Sequence, residues 1–138
     1  MIVLRTLRVL LLLAGLAGCT PVDRAAVLVA PPPAPDTPFP AASRDPGVRR
    51  TFEQFTRGNG FNCHRSARKI GSYVCSGPKD LHLTFGERLD GAGYVAGFSW
   101  VRSEGRSAEE FRQLVQAFER SLQGAGAAVE VQMGRFAE

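Results

Sequence analysis

Residues 81–101, LHLTFGERLDGAGYVAGFSWV, decide the fold that the sequence predicts. In the first half of this stretch, Leu81, Leu83 and Phe85 alternate with polar side chains. In the second half, one face of an extended chain carries Tyr94, Ala96, Phe98 and Trp100. Asp90-Gly91-Ala92-Gly93 lies between the halves and has the composition of a turn. The pattern predicts an antiparallel β-hairpin with one buried face.

Two helices and further strands are predicted around this hairpin. In the clearer helix, Ser107 to Leu122, Ser107 caps the start, Glu110 completes a capping box, and apolar side chains follow at helical spacing: Phe111, Leu114, Val115, Phe118 and Leu122. The other helix starts at Asp45-Pro46 and ends at Gly58-Asn59-Gly60. A short strand or hairpin is expected at Cys63 and Cys75, and a last strand is expected from Val129 to Met133.

The order of these elements predicts an α+β fold. We expect residues 46–138 to form one small domain with an antiparallel sheet of three to five strands. Both helices are expected to pack on one face of the sheet, because this arrangement buries every apolar stripe.

The amino-terminal residues have the pattern of an export signal. Residues 1–8 include Arg5 and Arg8, and residues 9–18 form an uncharged apolar run. Ten residues are too few to cross a bilayer as a helix, which needs ~20. This combination is typical of a signal peptide that is removed.

The run ends in Leu16-Ala17-Gly18-Cys19, which resembles the lipobox of bacterial lipoproteins. The resemblance implies removal of residues 1–18, diacylglycerol on the Cys19 sulfur and acylation of the new amino terminus. Thr20 stands where Gram-negative lipoproteins retained in the inner membrane have Asp. The resemblance therefore implies an outer-membrane protein on the periplasmic side. The alternative is an incidental cysteine in an ordinary signal peptide or short core helix.

Residues 19–45 are predicted to be the lipidated cysteine and a proline-rich linker. Seven prolines between residues 20 and 45 disfavour both helix and sheet. In polyproline geometry such a stretch reaches about 80 Å at ~3.1 Å per residue. The alternative function for this stretch is a ligand for a proline-binding module.

Cys63 and Cys75 remain once Cys19 carries lipid, and a disulfide between them is expected in the oxidising periplasm. The alternative is two separate buried thiols. Within this interval Arg65, Arg68 and Lys69 stand close together, and no acidic residue is present. We expect these cations to contact an anionic envelope component or partner protein through phosphate or carboxylate groups. The alternative is a solvated basic loop that favours solubility.

The sequence offers no complete catalytic or metal-binding set. His64 and His82 are too few for a metal site, and no cofactor is expected. Glu87 and Asp90 near one turn are explained by the turn itself. The net charge without residues 1–18 is 15 − 13 = +2, which does not favour nucleic-acid binding.

The sequence therefore favours a lipid-anchored, non-catalytic binding or assembly module over an enzyme. The alternatives are a small envelope hydrolase and a purely structural lipoprotein.

Overall fold

The computed structural model describes residues 21–30, 46–89, 91 and 93–134. Within these ranges the chain forms six strands and two α-helices. Their bounds in chain order are β1 Val22–Ala30, α1 Pro46–Gly58, β2 Asn62–Arg65, β3 Tyr73–Ser76, β4 His82–Glu87, β5 Tyr94–Val101, α2 Ala108–Gly124 and β6 Ala128–Met133. A 3-10 turn at Pro78–Asp80 joins β3 to β4. The α+β class is confirmed, and the sheet has six strands where three to five were expected.

The sheet has the strand order β2-β3-β4-β5-β1-β6, and every neighbouring pair is antiparallel. The four strands β2 to β5 follow one another as antiparallel neighbours, and the β4–β5 pair is the hairpin that the pattern of residues 81–101 predicts. Strand β6 closes the other side, where it pairs with β1. The predicted hairpin, cysteine-bearing strands and final strand are therefore all present.

Strand β1 corrects the predicted linker. Val22–Ala30 lies between β5 and β6, with Val27 opposite both Ala96 and Val131. Ala25, Val27 and Val29 are fully buried. The linker prediction was wrong for these nine residues because Ala26 and Leu28, on the opposite face of β1, are apolar too, so the strand lacks the alternation by which the other strands were predicted. The prolines at positions 21 and 31 flank this strand and do not interrupt it.

The core lies between the helices and one face of the sheet. Phe52 of α1 stacks on Phe85 of β4 with ring centroids 4.1 Å apart, and Phe118 of α2 meets Phe98 of β5 edge-on at 5.3 Å. Trp100 is only 5% exposed. The aromatic row of β5 therefore belongs to the core and does not form an exposed binding platform.

Helix α2 has the predicted cap at Ser107, whereas the Glu110 carboxylate, which was predicted to complete a capping box, pairs with Lys79. The Ser107 hydroxyl accepts a hydrogen bond from the backbone N–H of Glu110 at 3.1 Å, as a capping serine does. Its buried stripe is Phe111, Val115, Phe118 and Leu122. Helix α1 begins at Pro46, and its predicted cap, Asp45, lies outside the described residues, as do Cys19 and the apolar run before it.

The two ends of the sheet differ in what they carry. We call one the Val22 end, where β1 begins at Val22 beside Val101. We call the other the loop end, where β1 leaves the sheet after Ala30 and the β2–β3 and β4–β5 connections lie. The face of the sheet opposite the helices is called the open face.

Candidate functional site

The loop end is formed by two connections that contact each other. The β2–β3 loop, residues 66–72, is closed by a hydrogen bond from Ser66 N to Ser72 O at 2.8 Å. Lys69 Nζ of this loop donates to the backbone carbonyl of Glu87, at the end of β4, at 3.2 Å. Lys69 thus fixes the β2–β3 loop against the start of the β4–β5 connection.

A disulfide holds the base of the β2–β3 loop. Cys63 and Cys75 lie directly opposite each other on β2 and β3, with Cα atoms 4.0 Å apart, and their sulfurs are bonded. The prediction of this bond is confirmed. Cys75 is fully buried, so the bond also joins the outer strand pair to the core.

The three predicted cations lie together at this end. Arg65 ends β2, and Arg68 and Lys69 follow in the loop; all three side chains are exposed. Within the described residues, no carboxylate forms a salt bridge with Arg65 or Arg68. Arg88, at the end of β4, adds a fourth positive charge that the sequence analysis did not include. The loop end therefore concentrates positive charge, with two guanidinium groups available for an anion.

Two large apolar side chains project from the same end. Ile70 is 103% exposed and Leu89 is 91% exposed, and each directly follows a cation in the sequence, Lys69 or Arg88. Neither residue was predicted from the sequence. Each could have been recognised as a large aliphatic residue inside a segment that otherwise has loop composition. Apolar tips beside arginine are typical of protein-contact surfaces.

Beside these tips the open face has a shallow depression of about 170 Å³. Its lining includes Ser66, Lys69, Ser72, Thr84, Gly86 and Val95. The Ser72 hydroxyl is buried and has no hydrogen-bond partner among the described residues. It lies over Gly86, where an added Cβ would come 2.3 Å from the Ser72 oxygen. The lining supplies hydroxyl and ammonium groups, which can donate hydrogen bonds to a ligand.

The Val22 end presents paired charges instead. Arg102 binds Asp23 at 2.6 Å, Arg106 binds Asp80 at 3.2 Å, and Lys79 binds Glu110. Lys79 and Asp80 both have a φ of 57°, the left-handed region that side chains rarely adopt. Their ion pairs hold this strained turn, so we assign these charges to structure.

The residues considered for catalysis or metal binding are dispersed. His82 and Glu87 are the first and last residues of β4, about 16 Å apart at 3.3 Å per residue. His64 is on β2, with β3 between it and β4. Asp90 lies outside the described residues. Within the described ranges, no three His, Cys, Asp or Glu side chains are grouped as metal ligands need.

In residues 21–30, 46–89, 91 and 93–134, neither α1 nor α2 has the length and apolar composition that crossing a bilayer requires. No protein family model and no curated protein sequence matches this chain.

Proposed function

We propose that this protein is a bacterial lipoprotein of the outer membrane, held by lipid on Cys19 and facing the periplasm. Its folded domain acts as a non-catalytic binding or assembly module. The lipobox Leu16-Ala17-Gly18-Cys19 supports the anchor. Metabolic labelling with palmitate tests it: the wild type should incorporate label and Cys19→Ala should not.

We propose that the loop end is the contact surface, with Arg65, Arg68 and Lys69 as its cations. The observation that carries this proposal is that Arg65 and Arg68, which pair with no carboxylate of the described residues, lie at the same end of the sheet as the exposed Ile70 and Leu89. Arginines donate two parallel hydrogen bonds to a carboxylate or phosphate, and apolar tips gain from being covered. The partner that fits both is a protein surface with an apolar hollow and acidic residues around it.

Charge reversal at the loop end tests the contact surface. Arg65→Glu with Arg68→Glu should abolish in-cell photocrosslinking from a probe placed at Ile70. Arg49→Glu with Arg50→Glu is the matched control, because these two arginines are exposed on α1. Both variants should keep the wild-type unfolding midpoint, since exposed substitutions usually change stability by under ~0.5 kcal/mol. Unchanged crosslinking in a folded loop-end variant contradicts the proposal.

Substituting the exposed apolar residues Ile70 and Leu89 distinguishes an acidic protein partner from a ligand that binds through charge alone. Ile70→Ser with Leu89→Ser keeps every charge of the loop end. A protein partner should be lost with this variant as well, whereas a ligand held by charge alone should still bind. Binding that survives loss of the tips and falls steeply with salt assigns the surface to an anionic envelope component.

A further inference from the structure

Strand β1 begins three residues after Cys19. An extended chain advances at most about 3.3–3.6 Å per residue, so the Cys19 Cα lies within about 11 Å of the Val22 Cα. This distance follows from covalent geometry and holds for any conformation of Thr20 and Pro21. A lipid on Cys19 therefore fixes the Val22 end of the sheet near the bilayer.

We infer that the Val22 end rests on the bilayer that holds the lipid, and that the loop end points away from it. This inference rests on the proposed lipidation of Cys19. The predicted linker implied a flexible connection of about 80 Å between Cys19 and the domain, which would leave the orientation of the domain unrestricted. With β1 inside the sheet, Thr20 and Pro21 are the only residues between the lipidated cysteine and the domain.

The surface of the Val22 end fits a lipid interface. Val22 and Val101 lie opposite each other on β1 and β5 and are 40% and 46% exposed. Met133, on β6 opposite Ala25, is also 46% exposed. Val22 and Val101 project from the open face at the very end of the sheet, whereas Met133 lies on the other face and further in, so Val22 and Val101 are the side chains that can enter the headgroup region, where apolar burial is favourable.

The charges of this end allow the same approach. Lys79, Arg102 and Arg106 are balanced by Glu110, Asp23 and Asp80, so these pairs sum to zero. An anionic bilayer therefore does not repel them. Arg102 keeps 43% of its side chain exposed, and its backbone N–H binds the carbonyl of Pro21, which places it at the chain entry.

The reverse orientation fails on distance. The nine residues of β1 span about 27 Å at 3.3–3.4 Å per residue. With the loop end against the lipid, Val22 would stand roughly that far above the surface, and three residues reach only about 11 Å. The cations of the loop end are thus held away from their own membrane, where a partner can meet them.

Depth-dependent quenching tests this orientation. The lipidated protein is purified and inserted in vesicles of equal parts phosphatidylethanolamine and phosphatidylglycerol that contain a nitroxide-labelled lipid. A bimane fluorophore is attached to Val101→Cys or, in the matched variant, to Ile70→Cys; the bonded Cys63 and Cys75 do not react under non-reducing conditions. We expect several-fold stronger quenching at position 101 than at position 70. Equal quenching at both positions, or stronger quenching at 70, overturns the inference.

A spacer variant tests the cause. About twenty Gly-Ser residues inserted between Thr20 and Pro21 add a reach of about 25 Å and should bring the two quenching values together. If quenching at position 101 still exceeds quenching at position 70 in the spacer variant, the short connection between Cys19 and β1 is not what orients the domain. The mass of the intact amino-terminal peptide keeps the two proposals apart. A peptide without acyl groups refutes the lipoprotein assignment, whereas an acylated protein with equal quenching refutes only the orientation.

Discussion

The indole Nε1 of Trp100 on β5 donates a hydrogen bond of 3.0 Å to Asp23 Oδ2 on β1. Arg102 binds both oxygens of the same carboxylate, at 2.6 and 3.2 Å. The Asp23 side chain is only 12% exposed. The hydrogen bond from Arg102 is the main cause that lowers the pKa of Asp23; burial opposes it, and the Trp100 hydrogen bond adds to it. This carboxylate joins β1 to β5 at the Val22 end.

Replacing Asp23 by Asn should destabilise the domain by about 1 kcal/mol at neutral pH. Because the folded-state pKa is lowered, the carboxylate stabilises the fold fully above its unfolded pKa of about 3.9. That contribution is lost as the pH falls through the folded value. Urea unfolding at pH 6 and pH 3 should show that the difference in unfolding free energy between the wild type and the variant is smaller at pH 3. A difference of constant size contradicts the assignment to an ionised Asp23.

Strand β1 should be essential for folding. A chain that starts at Pro46 lacks the strand between β5 and β6 and loses the buried Ala25, Val27 and Val29. We expect it to be unfolded or aggregated, whereas a chain that starts at Pro21 should fold cooperatively. Circular dichroism and thermal unfolding of the two fragments make the comparison. Cooperative unfolding of the shorter fragment would falsify the prediction that β1 is essential for folding.

The disulfide should stabilise the domain by about 3 kcal/mol, the chain-entropy value for a loop of this size. Cys63→Ala with Cys75→Ala should lower the free energy of unfolding by this amount. The control is the wild type measured in the presence of a reducing agent. Its free energy of unfolding should fall by a similar amount. An unchanged unfolding midpoint under reducing conditions would show that the bond does not contribute.

Gly93 should not tolerate a side chain. Its φ is 142°, and an added Cβ would lie 2.0 Å from the carbonyl oxygen of Val29, a backbone atom of β1. Gly91, in the same turn, has a φ of 69° and no atom within 4 Å of an added Cβ. Gly93→Ala should therefore destabilise by more than ~2 kcal/mol, and Gly91→Ala by about 1 kcal/mol. Equal losses in chemical unfolding would contradict this close contact.

The sequence predicted the elements whose patterns are local. The α2 helix has both its cap at Ser107 and its apolar period, and the hairpin of β4 and β5 has alternation and a glycine turn. Strand β1 was missed because its position depends on pairing with β5 and β6, which are distant in the sequence. Residues 25–30 have no polar alternation, because apolar side chains occupy both faces of this part of β1.

The candidate site was predicted only as a list of charges. The spacing of Arg65, Arg68 and Lys69 indicated a basic loop, and their place beside Cys63 and Cys75 indicated how it is held. That Lys69 binds Glu87 O, and that Leu89 and Ile70 lie at the same end of the sheet, depends on which hairpins adjoin. Such neighbours arise from tertiary pairing, which single-residue patterns do not contain.

The position of β1 between β5 and β6 also determines how the domain responds to a pulling force. With the proposed lipid on Cys19 and the proposed partner at the loop end, the two would pull in opposite directions, roughly along β1. The hydrogen bonds to β5 and β6 run perpendicular to that direction, so tension loads both ladders in shear. Separation then requires many bonds to break together, whereas an edge strand pulled sideways opens one bond at a time. We therefore expect the fold to resist a pull directed along β1.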